Sequence, residues 1–217
     1  MTGEIGVLMN KMVKVAALVA LLAVYSFSQE GNTMKYGTRA AFNINSFSTG
    51  NSKADEDINM GFGFGVGGTV SIPIASSLTF NPELNFLYRT LFSETEKDGS
   101  YEEEQGLSEF ALSVPAMVRF TPMAGTPFYI SGGIQLDLPF SSEMYYEATD
   151  GNQSESGSED FKDRRTLDFG IAIGAGYQVM ENLVADFRFV IGLTSLTGKS
   201  GDDSSFNQIW LGATYSL

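Results

Sequence analysis

The sequence contains no cysteine and no histidine. The lack of cysteine excludes a disulfide framework and thiol-based zinc or redox sites. The lack of histidine excludes Ser-His-Asp and Cys-His nucleophiles and removes the commonest metal ligand. Basic residues are also scarce, with 13 Lys and Arg against 26 Asp and Glu and a net charge of −13, which disfavours binding to nucleic-acid phosphates. We therefore expect no enzyme activity, no cofactor, no metal centre and no nucleic-acid partner.

A long hydrophobic run is also missing. The longest apolar stretch, Val15–Tyr25, is too short to cross a bilayer as a helix. Lys11 and Lys14 precede it, and small residues follow it in Ser26-Phe27-Ser28. This order is typical of a secretory signal peptide, so we predict a signal over residues 1–28, cleaved before Gln29, and a mature domain over 29–217. Translation could start at Met1 or at Met9.

What the chain does contain is alternation with a period of two. In Gly61–Val70, "GFGFGVGGTV", glycine occupies every second position up to Gly67, and only strands have a period of two. Eight segments of about 10–14 residues alternate in this way, the length of a tilted transmembrane strand. They are KYGTRAAFNINSF, the glycine segment as far as Ile72, LTFNPELNFLYRTLF, LSEFALSVPAMVRF, PFYISGGIQLDLPF, LDFGIAIGAGYQV, LVADFRFVIGL and FNQIWLGATYSL.

The links between these segments also alternate, in length. Short links, PIASS, TPMAGT and MEN, follow the second, fourth and sixth segments, and long polar loops are expected near 48–59, 93–106, 141–166 and 194–205. Short turns at one end and long loops at the other are typical of an outer-membrane barrel with short periplasmic turns. The sequence thus predicts an all-β, eight-stranded, antiparallel up-and-down transmembrane barrel with long acidic extracellular loops, placed in the bacterial outer membrane and surrounded by its lipid.

A soluble calycin-like barrel or a β-sandwich would show the same alternation, but with its apolar residues inside and its polar residues outside. Three features favour the membrane. The apolar face is almost free of charge, whereas the polar face carries the strand charges, and that polar face is dominated by Gly, Asn and Ser rather than by the Lys and Glu usual on water-facing strands. The last alternating segment also reaches Leu217.

Several of these segments resemble a known family. NPELNFLYRT, SVPAMVRF, FYISGGIQLDL and LDFGIAIGAGYQV are similar to successive strands of the small outer-membrane-protein β-barrel domain family, related in shape to OmpA- and OmpX-type barrels, over residues 34–217. The ending Gly212–Leu217 resembles the tail that barrel assembly machinery recognises, although Leu217 stands where the family often has phenylalanine. The resemblance implies that this machinery is a partner during biogenesis, and it says little about activity.

The interior of such a barrel is only wide enough to be filled by side chains. Glycines on the inward face would make room for larger neighbours, and we assign this role to Gly61, Gly63, Gly65 and Gly67. Buried charges must be paired. We expect one central charge network, Arg39, Glu83 and Arg188, and a second one nearer the outer mouth, Arg89, Asp137 and Asp168.

Three functions remain open from the sequence. The first is a non-enzymatic surface barrel with a filled lumen that acts through its acidic loops, in surface contact or envelope structure. The second is a narrow passive channel, and the third is an accessory component of a secretion or envelope-assembly system. The acidic loops could bind calcium, but none has the spacing of a known calcium loop. The extracellular ligand is not identified by the sequence.

Overall fold

The computed structural model describes residues 34–48, 58–98, 101–123, 125–150, 153–197 and 204–217. The predicted signal peptide, 1–28, lies outside these residues, as does the start of the predicted mature domain. No helix in the described ranges is long and apolar enough to cross a membrane. The described chain forms nine antiparallel strands: β1 Lys35–Ser48, β2 Ile58–Ala75, β3 Leu78–Asp98, β4 Tyr101–Phe120, β5 Phe128–Asp150, β6 Gln153–Asp160, β7 Asp168–Met180, β8 Leu183–Gly192 and β9 Ser205–Ser216.

Eight of these strands close into a ring. Each pairs with its neighbours in chain order from β1 to β5, β5 then pairs with β7, and β9 pairs back with β1. Closure leaves no free edge in the ring, as a strand structure in lipid requires. The predicted eight-stranded up-and-down barrel is therefore confirmed. Among the described residues, the ninth strand, β6, pairs only with the last part of β5, from Glu143 to Asp150.

Two of the predicted loops are longer strands instead. The sequence predicts loops at 93–106 and 141–166, but β3 and β4 stay paired as far as Asp98 and Tyr101, and β5 and β6 stay paired as far as Asp150 and Gln153. The alternation ends in these segments because both faces of a sheet outside the membrane meet water. The pattern that marks a strand in lipid is therefore missing where the hydrogen-bonded ladder continues. The other two loops, 48–59 and 194–205, lie in large part outside the described residues.

We call the end of the barrel that carries the links 76–77, 121–127 and 181–182 the short-turn end, and the opposite end the hairpin end. The hairpins β3–β4 and β5–β6 extend beyond the ring at the hairpin end. Their strands join into one four-stranded sheet, β3–β4–β5–β6.

The two faces of the barrel wall are reversed relative to a soluble protein. Phe64 and Phe86 on the outer face are 56% and 63% exposed, whereas Arg39 and Asn43 on the inner face are 3% and 0% exposed. Apolar side chains outside and polar side chains inside require a lipid solvent around the wall. This arrangement excludes the soluble calycin-like barrel and the β-sandwich.

Aromatic rings mark both borders of the apolar wall. Towards the hairpin end, Tyr88 packs between Phe64 and Phe110, with ring centroids 5.7 and 4.9 Å away, and Phe110 packs on Phe140 at 6.3 Å. Towards the short-turn end, the exposed rings are Tyr36, Phe120, Phe128, Tyr177 and Tyr215. Such aromatic girdles lie at the two membrane–water interfaces of outer-membrane barrels, so the ring between them is the membrane-spanning part.

Candidate functional site in the barrel lumen

The inward face of the ring carries most of the buried polar residues in the described ranges. It includes Arg39, Asn43, Asn45, Glu83, Asn85, Arg89, Glu109, Ser113, Gln135, Asp137, Asp168, Arg188, Gln208 and Thr214, each 5% exposed or less. The inward residues of β9 show the order of the layers from the short-turn end: Thr214, Gly212, Trp210, Gln208 and Phe206. Charged and apolar layers alternate along this path.

The first layer is a cluster of four charges, which we call the lower cluster: Arg39, Glu83, Asp186 and Arg188. Glu83 accepts from Arg188 at 2.7 and 3.2 Å and lies 3.4 Å from the Arg39 Nε. Arg39 forms a two-bond pair with Asp186, with its Nη2 2.7 Å from Asp186 Oδ1. Two guanidinium groups and two carboxylates balance to zero net charge, so each buried charge has a partner.

An apolar layer follows the lower cluster. Trp210 is 2% exposed and packs with Ala41, Leu87, Ala111, Met117, Ala172 and Val190. Its indole Nε1 donates to Gln208 at 2.8 Å, so the ring fills the bore while its polar group is satisfied.

The next layer is a second charged group, which we call the upper cluster: Arg89, Glu109, Asp137, Arg164 and Asp168. Arg89 is fully buried and uses three nitrogens on three carboxylates, with Nε to Glu109 at 2.7 Å, Nη1 to Asp137 at 2.8 Å and Nη2 to Asp168 at 3.1 Å. Its guanidinium also lies 4.6 Å from the centre of the Phe206 ring. One side chain therefore ties together β3, β4, β5 and β7.

Arg164 reaches the upper cluster from the linker between β6 and β7. Its Nε donates to Glu109 at 2.7 Å, its Nη1 to Asp168 at 2.8 Å, and the same Nη1 to the Leu196 carbonyl at 3.2 Å. Beyond it, Leu91, Leu107, Leu196 and Phe206 form an apolar cap, with Phe47 and Phe161 packed against it. The linker thus covers the hairpin end of the bore with both charge and apolar surface.

The structure brings each set of sequence-predicted charges together. Glu83 lies between Arg39 and Arg188, and Arg89 lies between Asp137 and Asp168. The sequence interpretation left three partners out of these networks: Asp186, Glu109 and Arg164. Asp186 could have been found, because it shares the inward face with Arg188 two residues along β8. Glu109 faces inward on β4 by the same rule, but Arg164 lies in a linker where no strand period applies.

The predicted lumen glycines all lie on β2, and they make room in two different ways. An added Cβ at Gly65 would lie 3.1 Å from the ring of Trp210, so this glycine makes room for a side chain. At Gly61 and Gly67 an added Cβ would meet backbone carbonyls of β3, those of Thr90 and Leu84, and at Gly63 it would meet both Asn43 and the backbone of Tyr88. A further glycine that sequence reasoning missed, Gly212, leaves space for the Arg39 guanidinium.

One family model and several solved structures are similar to this chain. A family model described as outer membrane protein beta-barrel domain matches residues 27–198. Among solved structures, Ail, the attachment invasion locus protein of Yersinia pestis, is 13% identical over 84% of this chain and 98% of its own, with a TM-score of 0.44. A major outer membrane protein of Thermus thermophilus is 14% identical over 85% and 100%, with a TM-score of 0.45. Neisserial surface protein A is 14% identical over 87% and 100%, with a TM-score of 0.40. A comparison with curated protein sequences finds no match.

Proposed function

The chain belongs to the outer-membrane β-barrel domain family and lies in the bacterial outer membrane, and from this premise we propose that it is a non-enzymatic surface anchor. In this proposal, the ring holds the protein in the membrane and its lumen stays filled. The acidic sheet at the hairpin end faces the exterior and contacts positively charged partners. The observation that carries the proposal is the sheet β3–β6. This sheet continues past the aromatic girdle at the hairpin end and presents a strongly acidic surface.

Like charges face each other across this sheet. Glu104 pairs in register with Glu147, and Glu143 pairs with Asp160, and all four side chains are exposed. Directly opposed like charges destabilise a strand pair, and a cationic partner would relieve that repulsion. A surface that keeps such pairs in an ordered sheet is suited to electrostatic contact with a basic partner.

The filled bore supports an anchor over the passive channel that the sequence left open. Two ion-paired clusters and two apolar layers succeed one another along the lumen. An ion that crossed this path would have to separate buried charge pairs, which is costly in a low-dielectric interior.

The surface proposal predicts a loss of binding when the opposed charges are removed. Proteoliposomes that carry Glu104→Gln with Glu147→Gln should bind a poly-lysine-coated surface severalfold more weakly than wild type, and their binding should fall less steeply with added salt. Flow-cell binding at several salt concentrations measures both effects. Glu181→Gln, at the exposed short-turn end, is the control that should bind like wild type. Equal loss in the control, or none in the double variant, would contradict the proposal.

The filled lumen predicts the behaviour of Glu83→Gln. This change removes the negative charge and one of the two oxygens that accept from Arg188, so the lower cluster is left with one positive charge in excess, although Arg39 keeps Asp186. Breaking a buried pair costs about 3–5 kcal/mol, so the midpoint of urea unfolding should fall, and brief openings should appear in planar bilayers where the wild type is silent. Glu181→Gln serves again as the matched loss of one carboxylate. A large, steady wild-type conductance that Glu83→Gln leaves unchanged would establish a channel instead.

A further inference from the structure

The upper cluster is not balanced in charge. It holds two guanidinium groups, on Arg89 and Arg164, against three carboxylates, on Glu109, Asp137 and Asp168, and all five residues are 9% exposed or less. Arg165, the next residue of the linker, is partly exposed and forms no ion pair with these carboxylates in the described part of the chain. One negative charge therefore stays buried without a fixed counter-charge, which is costly unless something neutralises it.

A small cavity lies directly beside Asp137, which pairs with one guanidinium group, whereas Glu109 and Asp168 each pair with two. The cavity has a volume of about 10 Å³, and its lining includes Gln135, Asp137, Asp168 and Gln208. That is space for one water molecule or one small ion. Asp137 Oδ2 accepts from Arg89, Gln135 and Gln208, whereas Oδ1 accepts only from Gln135, at 3.1 Å.

A residue that lines this cavity carries a second oxygen without a hydrogen-bond partner. Gln135 is 2% exposed, and its Oε1 is buried without a hydrogen bond. The orientation of this amide is fixed, because its nitrogen donates to Asp137 and turning it over would place two oxygens against each other. The Asp137 and Gln135 oxygens are hard ligands that suit alkali and other s-block cations.

We propose that this cavity binds one monovalent alkali cation, Na⁺ or K⁺, which neutralises the upper cluster. The excess charge of one favours a single positive charge, and no group of three or more acidic side chains in the described ranges is arranged to hold a metal ion alone. The ion contacts the Asp137 carboxylate and the Gln135 carbonyl oxygen, both on β5. This site is independent of the surface role proposed for the hairpin sheet.

The first test compares cations at constant ionic strength. The full chain, folded in detergent micelles, should be more resistant to urea in NaCl or KCl than in the chloride of N-methylglucamine, which is too large for the cavity. Above saturation, each tenfold rise in alkali concentration should lower the unfolding equilibrium constant about tenfold, as for one ligand that binds only the folded state. Equal resistance in all three salts would overturn the proposal. So would a stability that follows pH but not alkali concentration, because a proton would then supply the missing charge.

Variants at two positions, Gln135 and Asp137, make the test specific. Gln135→Lys places a tethered ammonium group in the cavity, so the barrel should keep its stability and lose its dependence on alkali cations. Gln135→Glu adds a negative charge at the site, so the stabilisation by alkali cations should set in at a lower concentration than in the wild type. Asp137→Asn removes the excess negative charge, so it should also abolish the dependence of stability on alkali cations. This variant tests the proposal if Gln135→Lys does not fold. Line broadening in ²³Na NMR should be seen for the wild type and not for Asp137→Asn, and broadening that persists in this variant would overturn the assignment.

Discussion

Arg89→Met should be among the most damaging single changes in this barrel. Among the described residues, Arg89 is the only side chain that binds Glu109, Asp137 and Asp168 together. Without it, Glu109 and Asp168 keep Arg164, and Asp137 has no guanidinium partner. Removing one partner of a buried ion pair costs about 3–5 kcal/mol, and here three pairs lose their shared cation. The midpoint of urea unfolding in micelles, together with the gel-mobility shift on boiling, measures the loss.

Three further variants separate charge from packing at this position. Arg89→Lys keeps the charge, but its single nitrogen cannot reach three carboxylates, so its stability should lie between Arg89→Met and wild type. Arg89→Met combined with Asp137→Asn removes one of the unpaired charges and should recover part of the loss. Lys162→Met, on the exposed part of the linker, should stay within about 0.5 kcal/mol of wild type. If Arg89→Met proved as stable as Lys162→Met, the upper cluster would not hold the barrel together.

Gly67→Ala should impair folding strongly, whereas the neighbouring Gly68→Ala should be almost silent. A Cβ at Gly67 would occupy the position of the Leu84 carbonyl and of Asn85 in β3, and backbone cannot move aside as a side chain can. Overpacking of this kind costs about 1–3 kcal/mol or more. At Gly68, on the outer face, the nearest atom is the Gly37 carbonyl oxygen at 3.7 Å, an ordinary contact.

The yield of heat-modifiable barrel after refolding from urea measures this difference. Gly65→Leu extends the test to a glycine that faces a side chain, because its added atoms would meet Trp210. Phe64→Leu, on the lipid face, is the matched outward control and should fold like wild type. Equal yields for Gly67→Ala and Gly68→Ala would show that the inward and outward faces of β2 are assigned wrongly.

The strand period, combined with the alternating link lengths and the charge-free apolar face, was enough to predict the ring, its membrane location and the inward face of each strand. Alternation is a local property of the chain, because successive side chains of a strand point to opposite sides. One face of the strands has almost no charge, and the opposite face holds charged residues such as Arg39, Glu83 and Arg89. The uncharged face predicts contact with lipid, and the charged face must then line an enclosed interior. For the same reason, the sequence could name charges that meet in the lumen on strands far apart in the chain.

The partners of those charges were decided by tertiary structure. Arg39 and Asp186 meet across β9, which separates β1 from β8, and only ring closure and strand stagger set the heights at which they meet. Arg164 enters the upper cluster from a linker, where no period shows which way a side chain points. The sheet β3–β6 could not be predicted either, because outside the membrane both faces of a strand are wet and its backbone pairs without leaving an apolar pattern in the sequence.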